Sequence, residues 1–461
     1  MMRALTLAEI AHVLGTRATA AGGPVRDICT DTRALQSGDL FVALRGERFD
    51  GHGFLETARE AGAVAAVVDT PNDSSALAQL VVPDTIQALA DLALYNRNLS
   101  DASVVAVTGS SGKTTFKEML SAILSLEGGT LATLGNLNYH IGAPLTLLRL
   151  APEHRFAVIE LGASALGEIA HTVAATAPEV AVITNAGEAH LEGFGSYGNI
   201  VQAKGEIIDG VVEDGTVILN RDDPAFGIWK QRAGSRHVVA VSASGDDADY
   251  RCAGYELNDG AYSIRVVTPD GSERSLTLNL PGEHNICNAL LAAAAAETVG
   301  AAWSSVTSGL AAVRATAGRL ERKTLSDHVT VIDDSYNANP TSMKAALDVL
   351  SREAATRVAV LGGMAELGAE GARLHREVGE HARTQGVDRV LVVGVSEECN
   401  ALASGSGDLA LRFDTHQQAV DWLLANVTGP MTVLVKGSRS SAMDWVVMML
   451  QEKVNNPCCS G

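Results

Sequence analysis

The chain has 461 residues, of which 46% are hydrophobic and only 4% aromatic, so its cores must be built mainly from aliphatic side chains. At roughly 150 residues per domain, this length predicts about three domains. The formal charge of −19 argues against broad binding to nucleic acid or to an anionic membrane surface. It does not exclude small anionic ligands, because a few local donors are enough to hold a phosphate.

The cysteine pattern indicates free thiols in a reducing compartment, because the six cysteines are scattered and form no C-x-x-C pair. The N-terminal segment lacks the apolar core of a signal peptide. No apolar run approaches the roughly 18 residues that a transmembrane helix needs. These features predict a soluble, cytoplasmic protein that does not insert into a membrane.

The first predicted domain covers residues 1–83 and is a small α/β unit. It contains two short strand-like runs, 39–44 and 63–69, and each run is bounded by glycine or proline turn signals. The Pro83-Asp84 pair marks the predicted end of this domain.

The second predicted domain covers residues 84–313 and is built around a parallel sheet. Its continuous apolar runs are separated by helical segments, which is typical of parallel strands covered on both faces. A hairpin is predicted over 262–278, with its turn at 269–271. The apolar runs lie at 103–109, 156–162, 180–185 and 216–220.

The third predicted domain covers residues 314–461 and is a Rossmann-like, doubly wound α/β unit. No G-x-G-x-x-G follows a strand in it, which disfavours a dinucleotide-dependent dehydrogenase. Its predicted strands are 329–333, 357–363, 389–394 and 431–437, and its predicted helices lie over 341–353 and near 372–384 and 416–426.

A phosphate-binding loop is predicted where the run 103–109 meets a helical segment. The motif has the short form G-x-x-G-K-T, in which glycines allow backbone N–H groups to face phosphate oxygens. Lys113 can reach the β and γ phosphates, and the Thr114 hydroxyl can ligate Mg²⁺. The alternative is a plain glycine-serine turn with an exposed lysine. The loop residues are Gly109, Ser110, Ser111, Gly112, Lys113, Thr114 and Thr115.

Further segments resemble the Mur ligase family, and they occur in all three predicted domains. The general family segments are TGSSGKTT at 108–115, a strand ending at Glu160, TNAGEAHLEGFGS at 184–196, AKGEI at 203–207 and PGEHNICNAL at 281–290. The segments at 30–52, 135–148, 333–347, 362–375 and 435–443 are most similar to the members that add D-alanyl-D-alanine to UDP-N-acetylmuramoyl-tripeptide.

The resemblance implies a monomeric ATP-dependent ligase with one substrate on each domain. The N-terminal domain would bind the UDP precursor, the central domain ATP, and the C-terminal domain the dipeptide. The carboxylate would be activated as an acyl phosphate in cytoplasmic peptidoglycan precursor synthesis. No nucleic acid or membrane partner is implied.

The resemblance also implies two Mg²⁺ ions and a carbamylated lysine. The implied metal ligands are Thr114, Glu160, His190 and a carbamate on Lys204, and the implied catalytic residues are Lys113, His190 and Lys204. Taken alone, a single His, Glu or helical Lys is more often a structural or solvated group.

The remaining site residues are also carried over from the family pattern. Asn285 and Asn288 would contact adenine, although Asn285 could instead be a helix N-cap. Arg319 and Asp334 would meet the nucleotide from the C-terminal side.

Three groups of residues would bind the other substrates. Asn-Ala-Asn-Pro at 337–340 could instead form a turn, and Tyr139-His140 departs from the family pattern on the precursor side. The candidates for binding UDP are Thr30, Asp31, Thr32, Arg33, Gly46, Asp50 and His52. The candidates for holding the precursor near the γ phosphate are Asn136 and Asn138. The candidates for binding the dipeptide are Tyr336, Asn337, Asn339, Lys436, Ser438 and Arg439.

Two alternatives stay open at this point. One is a sibling amide ligase, which adds diaminopimelate, lysine or glutamate. The chain lacks the Asp-Asn-Pro-Arg tetrapeptide of the diaminopimelate-adding members, and its DDSYNANP segment favours the dipeptide-adding ones. The other is a P-loop protein that binds ATP without ligase activity.

Overall fold

The computed structural model describes residues 5–17, 24–46 and 49–455. Cys458 and Cys459 lie outside the described residues, and Cys29, Cys252, Cys287 and Cys399 are free thiols, as predicted. None of the helices in the described ranges has the length and apolar run needed to cross a bilayer.

The largest sheet has nine strands and is parallel across its first seven. The last three strands form an antiparallel meander, which includes the predicted hairpin. In sheet order, the strands are Thr130–Ala132, Phe156–Glu160, Ser103–Thr108, Val180–Ile183, Thr216–Asn220, His237–Ser242, Tyr250–Asn258, Ala261–Val267 and Glu273–Leu278.

Helices cover both faces of this sheet, because the strands carry apolar side chains on both sides. The Ala-rich helix packs closely on the helix that follows the phosphate loop. The helices are Lys113–Leu124, Gly142–Leu147, Glu168–Thr176, Leu191–Phe194, Tyr197–Asp209, Phe226–Ala233, His284–Thr298 and Trp303–Ala312.

The C-terminal sheet has six strands, of which only the first is antiparallel to its neighbour. Separate apolar clusters fill its two faces, as a doubly wound unit requires. Its strands in sheet order are Glu321–Thr324, Val329–Asp334, Met431–Lys436, Thr356–Leu361, Arg389–Val393 and Ala410–Phe413. Its helices are Pro340–Ser351, Gly371–Thr384, Glu397–Ser406, His416–Ala425 and Asp444–Asn455, with short 3₁₀ turns at Gly368–Glu370, Gly407–Leu409 and Arg439–Ser441.

The N-terminal part contains a parallel four-stranded sheet and two short antiparallel ribbons. The strands of this sheet are Ile28–Cys29, Leu40–Val42, Ala65–Val68 and Gln79–Val81. One ribbon pairs Leu5–Thr6 with Pro24–Val25, and the other pairs Arg45–Gly46 with Phe49–Asp50. The helices are Leu7–Val13, Gly51–Phe54 (3₁₀), Leu55–Glu60 and Thr85–Asn98.

The helix Thr85–Asn98 joins the N-terminal part to the central sheet. Asp84 caps it by accepting hydrogen bonds from the backbone N–H groups of Ile86 and Gln87. Its buried Leu89 and Leu92 belong to a core that runs from the N-terminal sheet onto one face of the nine-stranded sheet. Because this core is continuous, the domain limits 1–83, 84–313 and 314–461 stay a prediction.

Candidate functional site

The main cavity lies where the carboxyl ends of strands from the central and C-terminal sheets meet. Its volume is about 1420 Å³. The loops after Thr108, Glu160 and Ile183 contribute one wall, and those after Asp334 and Lys436 contribute another. Open parallel sheets generally place ligands at this edge.

The phosphate loop has the backbone shape that the motif predicts. Gly109 and Gly112 have φ values of 150° and 80°, a region that favours glycine. A Cβ on Gly109 would lie 1.9 Å from the Thr184 hydroxyl oxygen. The helix then starts at Lys113, so free N–H groups and the positive end of its dipole face the cavity. The arrangement fits an anion.

The Lys113 side chain is folded back over its own loop. Its Nζ donates to the carbonyl oxygen of Gly109 at 2.6 Å. Burial lowers the pKa of Lys113, and the nearby Arg319 acts in the same direction, whereas Glu160 opposes it. A phosphate would replace this carbonyl as the partner of the amine and favour its charged form.

Two side chains that the sequence analysis did not single out hold the phosphate loop in place. The Thr184 hydroxyl donates to the Ser111 carbonyl at 2.6 Å, and the Asn185 side-chain oxygen accepts from the Ser111 N–H at 3.0 Å. Both follow the strand Val180–Ile183, directly beside the loop. The segment 184–196 was noted as a family segment, but these contacts depend on how two loops meet in space.

Glu160 is buried at the end of its strand, and its carboxylate accepts two hydrogen bonds. One oxygen accepts from the Thr114 hydroxyl at 2.9 Å, and the other accepts from the Asn138 amide at 2.7 Å. The Glu160 N–H donates to the Thr133 hydroxyl at 3.0 Å. A hydroxyl and a carboxylate in contact are hard oxygen donors, and they fit one Mg²⁺ completed by phosphate oxygens and water.

His190 is not free in this arrangement. Its Nδ1 contacts the carboxylate of Glu366, which comes from the C-terminal domain. Its backbone is left-handed, with a φ of 56°. Burial lowers the pKa of His190, although Glu366 opposes this. A neutral imidazole is the form that can ligate a metal.

Lys204 is buried beneath the cavity, at 2% exposure. Its Nζ lies 3.5 Å from the Ala163 carbonyl and 5.1 Å from the centre of the Phe194 ring. Among the ion pairs of the described residues, none includes Lys204. Burial and the nearby Lys113 lower the pKa of Lys204 well below its ordinary value. The unprotonated amine is the form that can add CO₂.

No group of three or more His, Cys, Asp or Glu side chains arranged for a metal occurs within the described residues. The Thr114–Glu160 pair therefore fits one ion only together with ligand oxygens. A second ion beside His190 fits the residues present only if Lys204 is a carbamate, because an ammonium group repels a divalent cation.

The asparagine pair lies directly behind the phosphate loop. The Asn288 amide donates to the Asn285 side-chain oxygen at 3.0 Å, and a Cβ on Gly112 would lie 2.7 Å from the Asn288 oxygen. The helix His284–Thr298 has Glu283 at its N-cap position. The Asn285 amide instead donates to the Pro281 carbonyl at 2.7 Å, so the N-cap interpretation of Asn285 is wrong.

Arg319 and Asp334 reach the cavity from the start of the C-terminal unit. The Arg319 guanidinium stacks on the Tyr336 ring, 4.3 Å from its centre. Asp334 forms an ion pair with Lys436 at 2.6 Å and accepts from the Leu320 N–H at 3.1 Å. The Lys436 amine also donates to the carbonyl of Asn337 at 2.9 Å, so it has two hydrogen-bond partners within the protein.

Asn339 makes two contacts through its side chain. Its side-chain oxygen accepts from the Ser342 N–H at 2.8 Å, which makes Asn339 the N-cap of the helix Pro340–Ser351. Its amide nitrogen donates to the Ser110 carbonyl of the phosphate loop at 3.3 Å. Asn339 therefore begins a helix and joins two domains, and its contact with the dipeptide stays a prediction.

The cavity brings together most of the predicted site residues. Gly109 and Lys204 do not line it and lie behind its wall. The residues that line it are Ser110, Ser111, Gly112, Lys113, Thr114, Thr115, Asn136, Asn138, Glu160, His190, Asn285, Asn288, Arg319, Asp334, Tyr336, Asn337, Asn339, Lys436, Ser438 and Arg439.

The predicted UDP residues form separate clusters in the N-terminal part. Asp31 and Arg33 pair with each other at 2.6 Å. The His52 ring contacts Asp50 at 2.7 Å, and its other nitrogen accepts from the Asp69 N–H at 3.1 Å. Of the remaining UDP candidates, Thr30 and Thr32 are partly exposed and Gly46 is exposed.

Arg45 and Asp69 belong to the same N-terminal cluster and were missed from the sequence. Arg45 donates to both oxygens of Asp69, at 2.9 and 3.0 Å, and contacts Asp50. Arg45 holds the pKa of Asp69 down at about 2. Arg45 lies inside the 30–52 segment, but Asp69 follows the next strand, so only the fold brings them together.

The sequence of this chain is similar to family models and to known proteins. Three family models match the chain: "Mur ligase family, catalytic domain" at residues 24–97, "Mur ligase middle domain" at 107–296 and "Mur ligase, glutamate ligase domain" at 318–439. A relative from Escherichia coli K12, named UDP-N-acetylmuramoyl-tripeptide–D-alanyl-D-alanine ligase, is 46% identical over 99% of this chain and 100% of its own length.

Two solved structures of MurF are similar to this chain over nearly its whole length. A crystal structure of MurF from Acinetobacter baumannii superposes with a TM-score of 0.93 at 35% identity, covering 98% of this chain and 100% of that one. MurF from Thermotoga maritima in complex with ADP has a TM-score of 0.85 at 28% identity, covering 94% and 99%.

The chain therefore belongs to the Mur ligase family. Within this family, its full-length similarity is to enzymes named for joining D-alanyl-D-alanine to UDP-N-acetylmuramoyl-tripeptide.

Proposed function

We propose that this chain is an ATP-dependent ligase that joins D-alanyl-D-alanine to the tripeptide carboxyl group of UDP-N-acetylmuramoyl-tripeptide. The main observation is one cavity in which a phosphate loop, a buried carboxylate and C-terminal residues meet. The full-length similarity to ligases of this name supports the choice of substrates. A single chain that carries all three sites can act as a monomer.

ATP would lie with its terminal phosphate at the loop that ends in Lys113. The helix N-terminus and the lysine amine would neutralise charge as the peptide carboxylate attacks the γ phosphorus. The bond to the β-phosphate oxygen breaks, ADP leaves, and an acyl phosphate forms. Asn285 and Asn288 would lie beside adenine, and Arg319 beside the phosphates.

The amine of the dipeptide would then attack the acyl carbon. The nitrogen loses a proton, and inorganic phosphate leaves from the tetrahedral intermediate. Ser438 and Arg439 are the proposed contacts for the dipeptide, because they line the C-terminal wall. Closure of the two domains around the bound substrates would exclude water, which would otherwise hydrolyse the acyl phosphate.

Thr114 and Glu160 would hold one Mg²⁺, and His190 with a carbamate on Lys204 would hold a second. When bound, these ions supply positive charge that offsets the charge developing on the phosphates. The lowered pKa of Lys204 and its lack of a carboxylate partner among the described residues support the carbamate.

The UDP part of the precursor would bind at the N-terminal clusters around Arg33 and His52. Asn136 and Asn138 would hold the tripeptide end near Glu160. We place the reaction in the cytoplasm, where ATP is supplied, with neither nucleic acid nor a membrane as a partner.

Phosphate release from ATP tests this function directly. We expect release only when UDP-N-acetylmuramoyl-tripeptide and D-alanyl-D-alanine are both present. Faster turnover with a single amino acid such as diaminopimelate, lysine or glutamate would show that this amino acid, and not the dipeptide, is the substrate. ATP binding without release under any of these conditions would reject ligase activity.

A further inference from the structure

The loop 362–370 connects the strand Thr356–Leu361 to the helix Gly371–Thr384 and contacts the central domain. At its tip, the Glu366 carboxylate meets the His190 ring, and the Glu366 carbonyl accepts from the Glu192 N–H at 3.0 Å. Glu366 has a left-handed backbone, with a φ of 60°. The loop must therefore be held in a shape that a free chain rarely adopts.

His375 lies under this loop, in the second turn of the following helix, and is completely buried. Its Nε2 accepts from the Met364 N–H at 2.8 Å. Its Nδ1 lies 2.7 Å from the Gly371 carbonyl oxygen. Because Nε2 accepts and a carbonyl cannot donate, Nδ1 must carry the proton. Both ring nitrogens are satisfied by backbone groups near the two ends of the loop.

The start of the loop has a second attachment. The Ser438 hydroxyl donates to the Gly363 carbonyl at 2.8 Å, and the Ser438 N–H donates to the same oxygen at 3.0 Å. Met364 and Leu367 bury their side chains in the core of the C-terminal unit. The half-exposed Glu366 is thus held by the backbone on either side of it.

We propose that His375 is a positioning residue that fixes the loop 362–370 so that Glu366 docks on His190 across the domain interface. This inference rests on the proposed ligase function for its effect on turnover. Its structural part, the shape of the loop, does not depend on any activity.

The first test is kinetic. His375→Leu removes both hydrogen bonds, and we expect kcat/KM for the dipeptide to fall about 10- to 100-fold, the usual effect of removing a partner that orients a functional group. His375→Gln can still accept from Met364 and should recover most of the loss. If His375 acts through Glu366, His375→Leu should cause little further loss in a Glu366→Ala background.

His381→Leu is the matched control, because His381 lies on the same helix and pairs with Asp348 at 2.6 Å. It should leave turnover close to that of the unchanged chain. Equal losses in His375→Leu and His375→Gln, or losses that simply add to that of Glu366→Ala, would overturn the proposal.

The second test needs no ligase activity. A Cβ on Gly368 would lie 3.7 Å from the Glu192 Cβ, within the range of a disulfide. Glu192→Cys with Gly368→Cys should therefore cross-link on oxidation, and adding His375→Leu should slow the cross-linking at least several-fold. The left-handed backbone of Gly368, with a φ of 55°, strains a cysteine there, and this strain is the same with and without His375→Leu. Unchanged cross-linking would overturn the role of His375, whereas an inactive chain that still shows the slowing would reject only the ligase function.

Discussion

At the scale of single residues, the most unusual group is the amine of Lys204. It is buried against one carbonyl and one aromatic ring, and no carboxylate among the described residues pairs with it. Burying an amine with so few partners lowers stability, and a group of this kind is therefore a candidate for a functional role. The proposed carbamate would supply that function by turning a poorly satisfied amine into a metal-binding anion.

The Lys204→Met variant should lose turnover and gain stability. In buffer free of CO₂, we expect the free energy of unfolding to rise by on the order of 1–3 kcal/mol, which is the cost of a poorly bonded buried polar group. Thermal unfolding measured by circular dichroism checks this. Lower stability of the variant would show that the amine is well satisfied.

The same comparison has a defined pH dependence. The pKa of Lys204 is well below its ordinary 10.5, so the unfolded chain binds a proton that the folded chain does not. Stability of the unchanged chain relative to Lys204→Met should therefore rise with pH until about 10.5 and then level off. If the difference in unfolding free energy between the unchanged chain and Lys204→Met is constant from pH 7 upward, the pKa of Lys204 is not lowered.

Single residues also show what a sequence cannot predict. Lys113 and Thr114 could be predicted because they begin the helix that follows an apolar strand and a glycine-rich loop, whereas Glu160 was carried over from the family resemblance. Glu366 could not, because its contact with His190 spans 176 positions of the chain and depends on how two domains meet.

At the scale of elements, the strand–loop–helix unit around the phosphate loop was predictable, because three local signals coincide within 103–124. Four parallel strands in each large sheet were predicted from their continuous apolar runs, whereas Thr130–Ala132, His237–Ser242 and Ala410–Phe413 were missed. The strand Tyr250–Asn258 was also missed, because Arg251, Gly254 and Glu256 interrupt its apolar residues. The helix Glu397–Ser406 was missed because it is rich in small residues and has a weak apolar pattern.

Asn339 allows its two roles to be separated by mutation. Asn339→Ala removes both the N-cap and the contact with Ser110, and we expect a loss of about 1 kcal/mol in unfolding free energy together with lower turnover. Asn339→Ser keeps a capping oxygen but is too short to reach Ser110. It should retain stability and still lose turnover.

Thr415→Ala provides the control, because Thr415 caps the helix His416–Ala425 outside the cavity. It should lose about the same stability and keep full turnover. Full activity in Asn339→Ser would show that the contact with the phosphate loop has no part in the reaction.

At the scale of the whole molecule, the C-terminal unit contacts the central one on two sides of the cavity. His190 meets Glu366 on one side, and Arg352 pairs with Glu283 at 2.5 Å on the other. These contacts join the two units beside the site, and we expect them to open when substrates enter and products leave. Neither contact could be predicted from the sequence, because each depends on domain orientation.

The Glu192→Cys/Gly368→Cys pair tests this requirement for opening. Oxidation should fix the domains in the observed arrangement and stop turnover, because products cannot leave, and a reductant should restore it. The single variant Glu192→Cys, treated in the same way, should keep its activity. Full turnover in a completely cross-linked sample would mean that the domains need not separate.

The transfer of a heavy-oxygen label tests the central claim most directly. If the tripeptide carboxylate attacks the terminal phosphate of ATP, an oxygen atom of that carboxylate must leave with the inorganic phosphate. With the label placed in the tripeptide carboxyl group, we expect one labelled oxygen to appear in phosphate for each dipeptide joined. Ligated product accompanied by unlabelled phosphate would contradict activation of the carboxylate at this loop.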